Sequence, residues 1–151
     1  LAQDRDLVHA VAETGSTPLI DACSAQSPEI VVELLRHKPN VNLADIEGFT
    51  PLHEASRRGL SQAVAPLLAA GAKHHFVTPH GWTPLLMSLC ARFEPQTPED
   101  YAEVVCALVD AGSDVRQTNN AGKSALDLIE TNPFIAEAGR VKIQQAAGRV
   151  G

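Results

Sequence analysis

The stretch Gly48-Phe49-Thr50-Pro51-Leu52-His53-Glu54-Ala55 decides the fold, because its Thr-Pro-Leu triplet recurs along the chain. The same triplet occupies Thr17-Pro18-Leu19 and Thr83-Pro84-Leu85, at an interval of 33 residues both times. A weaker version, Ser124-Ala125-Leu126, follows 41 residues after the third, which indicates an insertion within the third unit. Self-similarity at a fixed period of this length is typical of repeat architectures, in which one small structural unit stacks on the next.

Each unit is predicted to form two helices. Threonine is a good N-cap because its hydroxyl accepts a hydrogen bond from an amide of the first turn, and the proline that follows has a helix-compatible φ. Ser124 begins the fourth unit in a similar way, with Asp127 placed for a capping box. The second helices carry apolar pairs one turn apart, which predicts a stripe facing both neighbouring units. The pairs are Ile30-Val31 with Leu34-Leu35, Val64 with Leu67-Leu68, and Val104-Val105 with Leu108-Val109.

Glycines mark the predicted helix ends and turns. Gly71 and Gly112 stand where a left-handed residue would end the second helix of a unit. Gly48, Gly81 and Gly122 each come two residues before the next Thr or Ser, where we expect a turn. The polar stretch 40–45 between two units is long enough for a hairpin but not for a helix.

These features together resemble the ankyrin family, whose 33-residue unit is a β-turn followed by two antiparallel helices. The matching residues are the stretch 48–55, then Gly59, Leu67-Leu68 and Gly71-Ala72. The resemblance covers about residues 15–147 and implies an all-α repeat solenoid of about four ankyrin repeats with capping helices. We expect one domain over residues 1–151, made of an N-terminal capping helix (1–14), repeat 1 (15–47), repeat 2 (48–80), repeat 3 (81–121, with the insertion near 93–100) and a degenerate C-terminal capping repeat (122–151).

The chain departs from the family pattern at several positions. Gln26 replaces the usual glycine between the two helices of repeat 1. Lys38-Pro39 replaces Gly-Ala, and because a residue before proline avoids the α region, we expect a differently shaped helix end there. Pro66 should weaken or kink the first turns of its helix. The motif histidine, which bonds neighbouring hairpins in the family, is replaced in two units by Ile20 and Leu86, so those bonds should be missing there.

Both ends of the stack are predicted to be capped by helices. Residues 4–13 form an amphipathic pattern with Leu7, Val8 and Val11 expected to face inward. At the other end, Asn132-Pro133 has the residue types of an N-cap and first helical position for a helix over 134–147. Its charged residues are expected to face outward, because a repeat stack needs polar outer surfaces. They are Glu137, Arg140 and Lys142.

Two clusters of side chains could support metal binding or redox activity. His74, His75 and His80 fall within seven residues and could hold zinc, but no cysteine or acid in this stretch completes a metal site. Cys90 and Cys106 can approach each other on antiparallel helices, and a redox pair is the alternative to inert, buried thiols. The alternative function is therefore a metal- or redox-dependent activity at one of these clusters.

A hydrolase arrangement is a weaker hypothesis. Asp21, His53, Glu54 and Ser56 have suitable side chains, but the histidine belongs to the repeat motif, and neither a glycine-elbow nor a phosphate-binding loop is present. We therefore predict that the chain is not an enzyme and has no catalytic residues, cofactor or metal.

The resemblance implies a partner protein held by hairpin tips and by the exposed face of the first helices. Phe49 and Trp82 occupy the same position before Thr-Pro in their units and are expected to be exposed. Aromatic residues and arginine are the usual hot-spot residues of interfaces, which favours partner contact, although packing on the adjacent hairpin is the alternative. The predicted contact residues are Ile46, Glu47, Phe49, Glu54, Arg57, Arg58, His80, Trp82, Met87, Asn120 and Lys123, with Asn119 beside them in the last hairpin.

The insertion Phe93-Glu94-Pro95-Gln96-Thr97-Pro98-Glu99-Asp100 is predicted to form an acidic surface loop. Its last four residues have the pattern of an N-cap, a first-turn proline and two acids at a helix N-terminus. The loop is either a tolerated length variation or a partner-specific contact.

Composition narrows the class of partner. The net charge of −6 argues against nucleic acid or anionic lipid as the ligand, and no apolar run approaches the roughly 20 residues that span a bilayer.

Three cysteines, Cys23, Cys90 and Cys106, show no metal-ligand spacing, which favours reduced, buried thiols in a reducing compartment. We expect a monomer that binds a protein, by docking, inhibition or tethering, in the cytoplasm. Because Leu1 is not a methionine, we expect a trimmed or processed product, and a removed signal peptide would make it exported or periplasmic.

Overall fold

The computed structural model describes residues 11–90 and 95–149, and within them the secondary structure consists of helices and turns without strands. Eight helices lie in this part of the chain. They are α1 (Pro18–Ser24), α2 (Pro28–Leu35), α3 (Pro51–Arg57), α4 (Ser61–Ala69), α5 (Pro84–Cys90), α6 (Pro98–Asp110), α7 (Ala125–Thr131) and α8 (Glu137–Arg149). None of the described helices has the length and apolar character needed to cross a bilayer.

The predicted N-caps are confirmed. The hydroxyl oxygens of Thr17, Thr50 and Thr83 accept hydrogen bonds from the amide three residues later, at 3.2, 3.3 and 3.2 Å. Ser124 and Thr97 form reciprocal capping boxes with Asp127 and Asp100, respectively. The local sequence therefore determines where each of these helices begins.

Helices pack as antiparallel pairs, α1 with α2, α3 with α4, and α5 with α6. The first helices α1, α3, α5 and α7 contact one another in order, and so do the second helices α2, α4, α6 and α8. One apolar core runs through the stack, with residues such as Leu52, Leu67 and Leu108 fully buried. This arrangement confirms the predicted all-α repeat solenoid.

The predicted stripe on the second helices is confirmed except in the first of them. Val31, Val64 and Val104 are buried between neighbouring units. Ile30, which was expected to face a neighbour, is 53% exposed on α2. The stripe on α2 is therefore narrower than the sequence predicts, because only one residue of the Ile30-Val31 pair points into the core.

The predicted helix ends and turns have left-handed backbone conformations at their glycines, namely Gly48, Gly71, Gly81, Gly112 and Gly122. Lys38, with φ of 51°, adopts the same conformation, as does Gln26, with φ of 57°. The helix end at Lys38 therefore follows the common path, so the expectation of a different backbone shape is wrong. Its hydrogen bonds do differ. At the equivalent end of α4, Ala72 donates its N–H to the carbonyl oxygen of Leu67, whereas Pro39 at this end has no N–H to donate.

Pro66 does not break its helix. α4 continues through it to Ala69, with Ala70 donating its N–H to the carbonyl oxygen of Pro66 at 3.0 Å. The cost of the proline is one missing backbone bond, since its nitrogen cannot donate to the residue four positions earlier.

The N-terminal capping helix lies largely outside the described residues, including Leu7 and Val8. The described part of it, residues 11–14, is not helical. Val11, which was expected to face inward, is exposed instead. Residues 12–16 form a hairpin turn, in which the N–H of Ala12 donates to the carbonyl oxygen of Ser16 at 2.8 Å.

The C-terminal helix begins later than predicted. Asn132 does accept a hydrogen bond from the amide of Phe134 at 2.9 Å, but residues 133–135 form a turn, and α8 starts at Glu137. The turn buries Ile135 in the core, beside Gly139 of α8, instead of extending the helix.

Arg140 does not face outward. Its guanidinium donates to the backbone carbonyl oxygens of Ile129, Asn132 and Ile135, the last at 3.1 Å. Arg140 therefore closes the C-terminal end of α7, a favourable position for a cation because the helix dipole is negative there.

Candidate protein-binding surface

Four hairpin turns recur at the spacing of the repeats. Each is closed by a backbone hydrogen bond between residues four apart. The donors and acceptors are Ala12 and Ser16, Asp45 and Phe49, Thr78 and Trp82, and Asn119 and Lys123, with distances of 2.8 to 3.0 Å. The tips of these four hairpins lie in a row along one side of the stack.

The side chain that opens each of the last three hairpins also holds its tip. Asp45 Oδ1 accepts from the amides of Glu47 and Phe49 at 3.0 Å each, and Thr78 Oγ1 accepts from the amide of Trp82 at 3.1 Å. Asn119 Oδ1 does the same for two amides of the last hairpin. This role is not among the sequence-based predictions, although its signal is present in the sequence as an Asp, Thr or Asn three residues before each turn glycine.

Neighbouring tips are joined by backbone hydrogen bonds at two of the three junctions. Ile46 donates its N–H to the carbonyl oxygen of Thr14 at 3.1 Å, and Asn120 donates to His80 at 3.4 Å. Pro79 occupies the corresponding position in the third hairpin and has no N–H to donate to Glu47. At this junction the turn at Gly48 packs closely on the Pro79 ring instead.

His53 joins the second and third hairpins from beneath. It is fully buried, and its Nε2 lies 3.0 Å from the carbonyl oxygen of Trp82, so Nε2 carries the proton and donates. Nδ1 is then the acceptor for the amide of Thr50 at 3.2 Å and for its hydroxyl at 2.9 Å. As expected, Ile20 and Leu86, with hydrocarbon side chains, make no such bond.

Burial of the ring lowers the pKa of His53 below its ordinary value of 6.5, and the bond to the Trp82 carbonyl only partly opposes this effect. The unfolded chain therefore takes up a proton at a higher pH than the folded chain does. The stability that neutral His53 contributes is present above pH 6.5 and is lost as the pH falls from 6.5 towards the folded-state pKa.

We expect the free energy of unfolding to fall between pH 7 and pH 5, and to fall less in the His53→Leu variant. Denaturant titrations of both proteins at several pH values measure the difference. Part of the dependence should remain in the variant, because burial also lowers the pKa of His74. Equal pH dependence in the two proteins would show that His53 is not the responsible group.

Glu54 is buried on α3 and organises two arginines at the C-terminal end of that helix, Arg57 as its last residue and Arg58 as its C-cap. Its carboxylate accepts from Nη2 of Arg57 at 2.7 Å, from Nε of Arg57 at 3.1 Å and from Nε of Arg58 at 3.0 Å. Ser24 of α1 donates its hydroxyl to the same carboxylate at 3.0 Å. Burial acts to raise the pKa of Glu54, but the hydrogen bonds and charge of Arg57, followed by the bonds from Arg58 and Ser24, hold it below 4.5. The carboxylate thus positions the arginines.

Residues 2–78 match the model of the family described as ankyrin repeats (3 copies). The chain belongs to the ankyrin-repeat family. Ankyrin repeats are generally protein–protein interaction modules, and the family is typically non-enzymatic.

Three curated proteins are similar to this ankyrin-repeat chain over part of their length. The B-cell lymphoma 3 protein homolog of Mus musculus is 35% identical over 92 residues, which cover 61% of this chain and 20% of that protein. Tyrosine-protein kinase HTK16 of Hydra vulgaris is 40% identical over 67 residues, 42% of this chain and 9% of the kinase. Glycerophosphocholine phosphodiesterase gde1 of Schizosaccharomyces pombe is 26% identical over 133 residues, 85% of this chain and 11% of that enzyme. The similar segments span a fifth or less of these relatives.

The ankyrin surface presents some of the predicted contact residues and buries others. Five are exposed at the tips, namely Ile46, Glu47, His80, Asn120 and Lys123. Four are partly exposed, namely Phe49, Trp82, Arg57 and Arg58. Two are buried, Glu54 and Met87, and Asn119 is buried beside them.

These placements correct three expectations. Glu54 is occupied by its own arginines, and Met87 lies inside the row of first helices, so neither side chain is presented to a partner. Phe49 and Trp82 are not fully exposed. Phe49 meets the ring of His53 edge-on at 6.1 Å, and Trp82 packs against the core, so both contribute to the fold of their hairpins.

The hairpin loops also expose apolar residues that are not among the sequence-based predictions. Leu43 and Phe76 lie 33 residues apart, at the same position in successive loops, and each is 37% exposed. Val77 is exposed beside Phe76. The signal that could have found them is the repeat register itself, applied to the loops as well as to the helices.

The histidine cluster does not form a metal site in the described chain. No group of three or more His, Cys, Asp or Glu residues there could hold a metal ion. His74 and His75 pack edge-on, with ring centres 5.5 Å apart. Ser56 is buried and makes no hydrogen bond to His53. The nucleophile and the base that the hydrolase hypothesis requires are therefore not in contact.

All three cysteines are free thiols, but they are not all buried as expected. Cys23 lies in the core, where burial raises its pKa to about 12. Cys90 is exposed at the end of α5, and Cys106 is partly exposed. Burial still raises the pKa of both thiols, which lowers the fraction of reactive thiolate near neutral pH.

Proposed function

We propose that the chain is a recognition module that binds another protein through its hairpin tips and the adjoining face of its first helices, without catalysing a reaction. The observation that carries this proposal is Ile46, which is 76% exposed on a tip whose backbone bonds to Thr14 of the preceding hairpin and packs at Gly48 on Pro79 of the next. A large exposed apolar side chain on a fixed backbone is a favourable anchor, because binding buries it without the cost of ordering the backbone.

The surroundings of Ile46 support the same surface. Glu47 is exposed beside Ile46 on the same tip, His80 and Asn120 are exposed on other tips, and Glu54 holds Arg57 and Arg58 at the C-terminal end of α3. A central apolar anchor with polar and charged neighbours is the usual composition of a protein interface. We further propose that the module is cytoplasmic, as ankyrin-repeat proteins commonly are, that it is monomeric, and that neither nucleic acid nor membrane is its ligand.

The experiment is affinity capture from the native source with the whole chain as bait, comparing Ile46→Ala with Ile30→Ala. Both isoleucines are highly exposed, but Ile30 lies on α2, away from the tips. We expect the tip variant to bind the captured partner about 10–100-fold more weakly, the range of an interface hot spot, and the α2 variant to bind normally. Normal binding by Ile46→Ala, or equal loss in both variants, contradicts the proposed surface.

Inhibition and scaffolding are two forms of this proposal. In the first, the module covers a functional cleft of its partner, and in the second it only tethers the partner. An assay of the captured partner with and without the chain separates them, because only the inhibitory form lowers the partner's activity.

A further inference from the structure

Charge is segregated along the stack. From Gly48 to Cys90 the chain carries three cationic residues, Arg57, Arg58 and Lys73, against one carboxylate, Glu54, a net charge of +2. The whole chain has a net charge of −6. The middle of the stack is therefore a cationic region between two acidic ones.

Within this region, the loop 73–80 contains no carboxylate. It exposes Lys73, His75 and His80, and its backbone is anchored to the preceding loop, where Asn42 Oδ1 accepts from the amide of Lys73 at 2.8 Å. The loop therefore presents hydrogen-bond donors and positive charge from a fixed position.

Apolar side chains lie on the same loops. Phe76 is exposed at the position that Leu43 occupies in the preceding loop, and Val77 and Ile46 extend the apolar surface towards the tips. We call these four residues the hairpin strip. Lys73, His75 and His80 flank Phe76 and Val77 within one loop, so an occupant of this part of the strip would meet apolar and basic groups together, whereas Ile46 has the exposed Glu47 beside it.

Resting on the function proposed above, we propose that the hairpin strip binds a partner segment in which large apolar side chains alternate with aspartate or glutamate. The apolar side chains would cover Phe76, Val77 and Ile46, and the carboxylates would approach Lys73 and the exposed histidines. A basic segment would meet the loop with the wrong sign of charge, and an acidic segment without apolar residues would leave the strip exposed to water.

Three pools of short synthetic peptides test the proposal, with binding to the whole chain followed by fluorescence anisotropy. The first pool combines Asp and Glu with Leu and Phe, the second Lys and Arg with Leu and Phe, and the third Asp and Glu with Ser and Gly. We expect the first pool to bind at least about tenfold more tightly than the others at low ionic strength. Its binding should weaken as salt rises to about 0.15 M, where the Debye length is about 8 Å.

Substitutions in the chain locate the contact. Phe76→Ser and Lys73→Glu should each weaken binding of the first pool severalfold. The matched controls are Val32→Ser, at an exposed apolar residue on α2, and Arg36→Glu, at the exposed basic residue that caps the C-terminus of α2, and both should leave binding unchanged. Circular dichroism of each variant establishes that it is folded.

Every other outcome overturns the proposal. Preference for the basic pool shows that the charge complementarity is wrong, equal binding of the third pool shows that the apolar component is wrong, and binding of no pool shows that neither suffices. Self-association that Lys73→Glu abolishes, detected by light scattering, would make a second copy the occupant. If peptide binding fails while Ile46→Ala still weakens capture of a native partner, the proposed function stands and only the partner chemistry is wrong.

Discussion

Replacing Tyr101 with alanine is expected to lower the free energy of unfolding by about 3–5 kcal/mol, the usual cost of deleting a fully buried aromatic ring. Tyr101 lies on α6 with no exposed surface, and its ring meets Phe134 edge-on with centres 5.9 Å apart. Its hydroxyl donates to the carbonyl oxygen of Arg57 at 3.1 Å. The ring also covers Gly59, where an added Cβ would lie 2.8 Å from a ring atom. One side chain thus joins α6 to the end of α3 and to the C-terminal turn.

Urea titration of the wild-type chain and two variants measures this contribution. Tyr101→Phe keeps the ring and loses only the hydroxyl bond, so it should cost about 1 kcal/mol. A loss in Tyr101→Ala no larger than that in Tyr101→Phe would mean that the ring does not support the packing described here.

Replacing Arg140 with alanine is expected to lower the free energy of unfolding by about 2–4 kcal/mol, because up to three backbone carbonyls lose a charged donor. Those carbonyls belong to Ile129, Asn132 and Ile135, in the last turn of α7 and the turn before α8. The loss should fall on the C-terminal helix pair, which Arg140 joins.

Lys142→Ala is the matched control for Arg140→Ala. Lys142 lies on the same helix and forms an ion pair with Asp110 at 2.5 Å, but that carboxylate is largely exposed. Exposed ion pairs contribute about 0–1 kcal/mol, so the control should be nearly neutral. Arg140→Lys should lose most of the contribution, because an ammonium cannot reproduce the planar fork of donors. Equal effects of Arg140→Ala and Lys142→Ala in thermal or urea unfolding would contradict this role.

The fold could be predicted from sequence where a local signal determines local structure. Thr17, Thr50 and Thr83 cap their helices through an amide three residues away, so the interaction lies within the motif itself. The repeat period then placed the helix pairs next to one another, because each unit can bury its apolar stripe only against its neighbours.

The predictions that failed depend on contacts distant in sequence or on competing local forces. Arg140 was expected in solvent because its helix has a polar pattern, but the carbonyls that bind it lie up to 11 residues away in a turn that the pattern does not show. Asn132 donates to the carbonyl oxygen of Leu89, 43 residues earlier, and this bond holds the turn that delays α8. Lys38 adopts the left-handed conformation that ends α2, although this conformation is locally disfavoured for a residue before proline.

The candidate surface was predictable in outline and less so in detail. The motif placed Ile46, Glu47 and His80 on exposed tips, and the structure has them there. It also placed Glu54 and Met87 on the exposed face, but exposure depends on how closely adjacent first helices pack, which a single repeat does not encode. The exposure of Phe76 is not predicted, because this residue lies in a loop outside the Thr-Pro motif that identifies the aromatic positions expected to be exposed.

The most direct test of the binding surface is hydrogen–deuterium exchange of the chain with and without its captured partner. We expect slower amide exchange on binding in the hairpin segments 44–49, 77–82 and 118–123, with unchanged exchange in α2. Protection confined to α2 and the other second helices, with the hairpin segments unchanged, would contradict it.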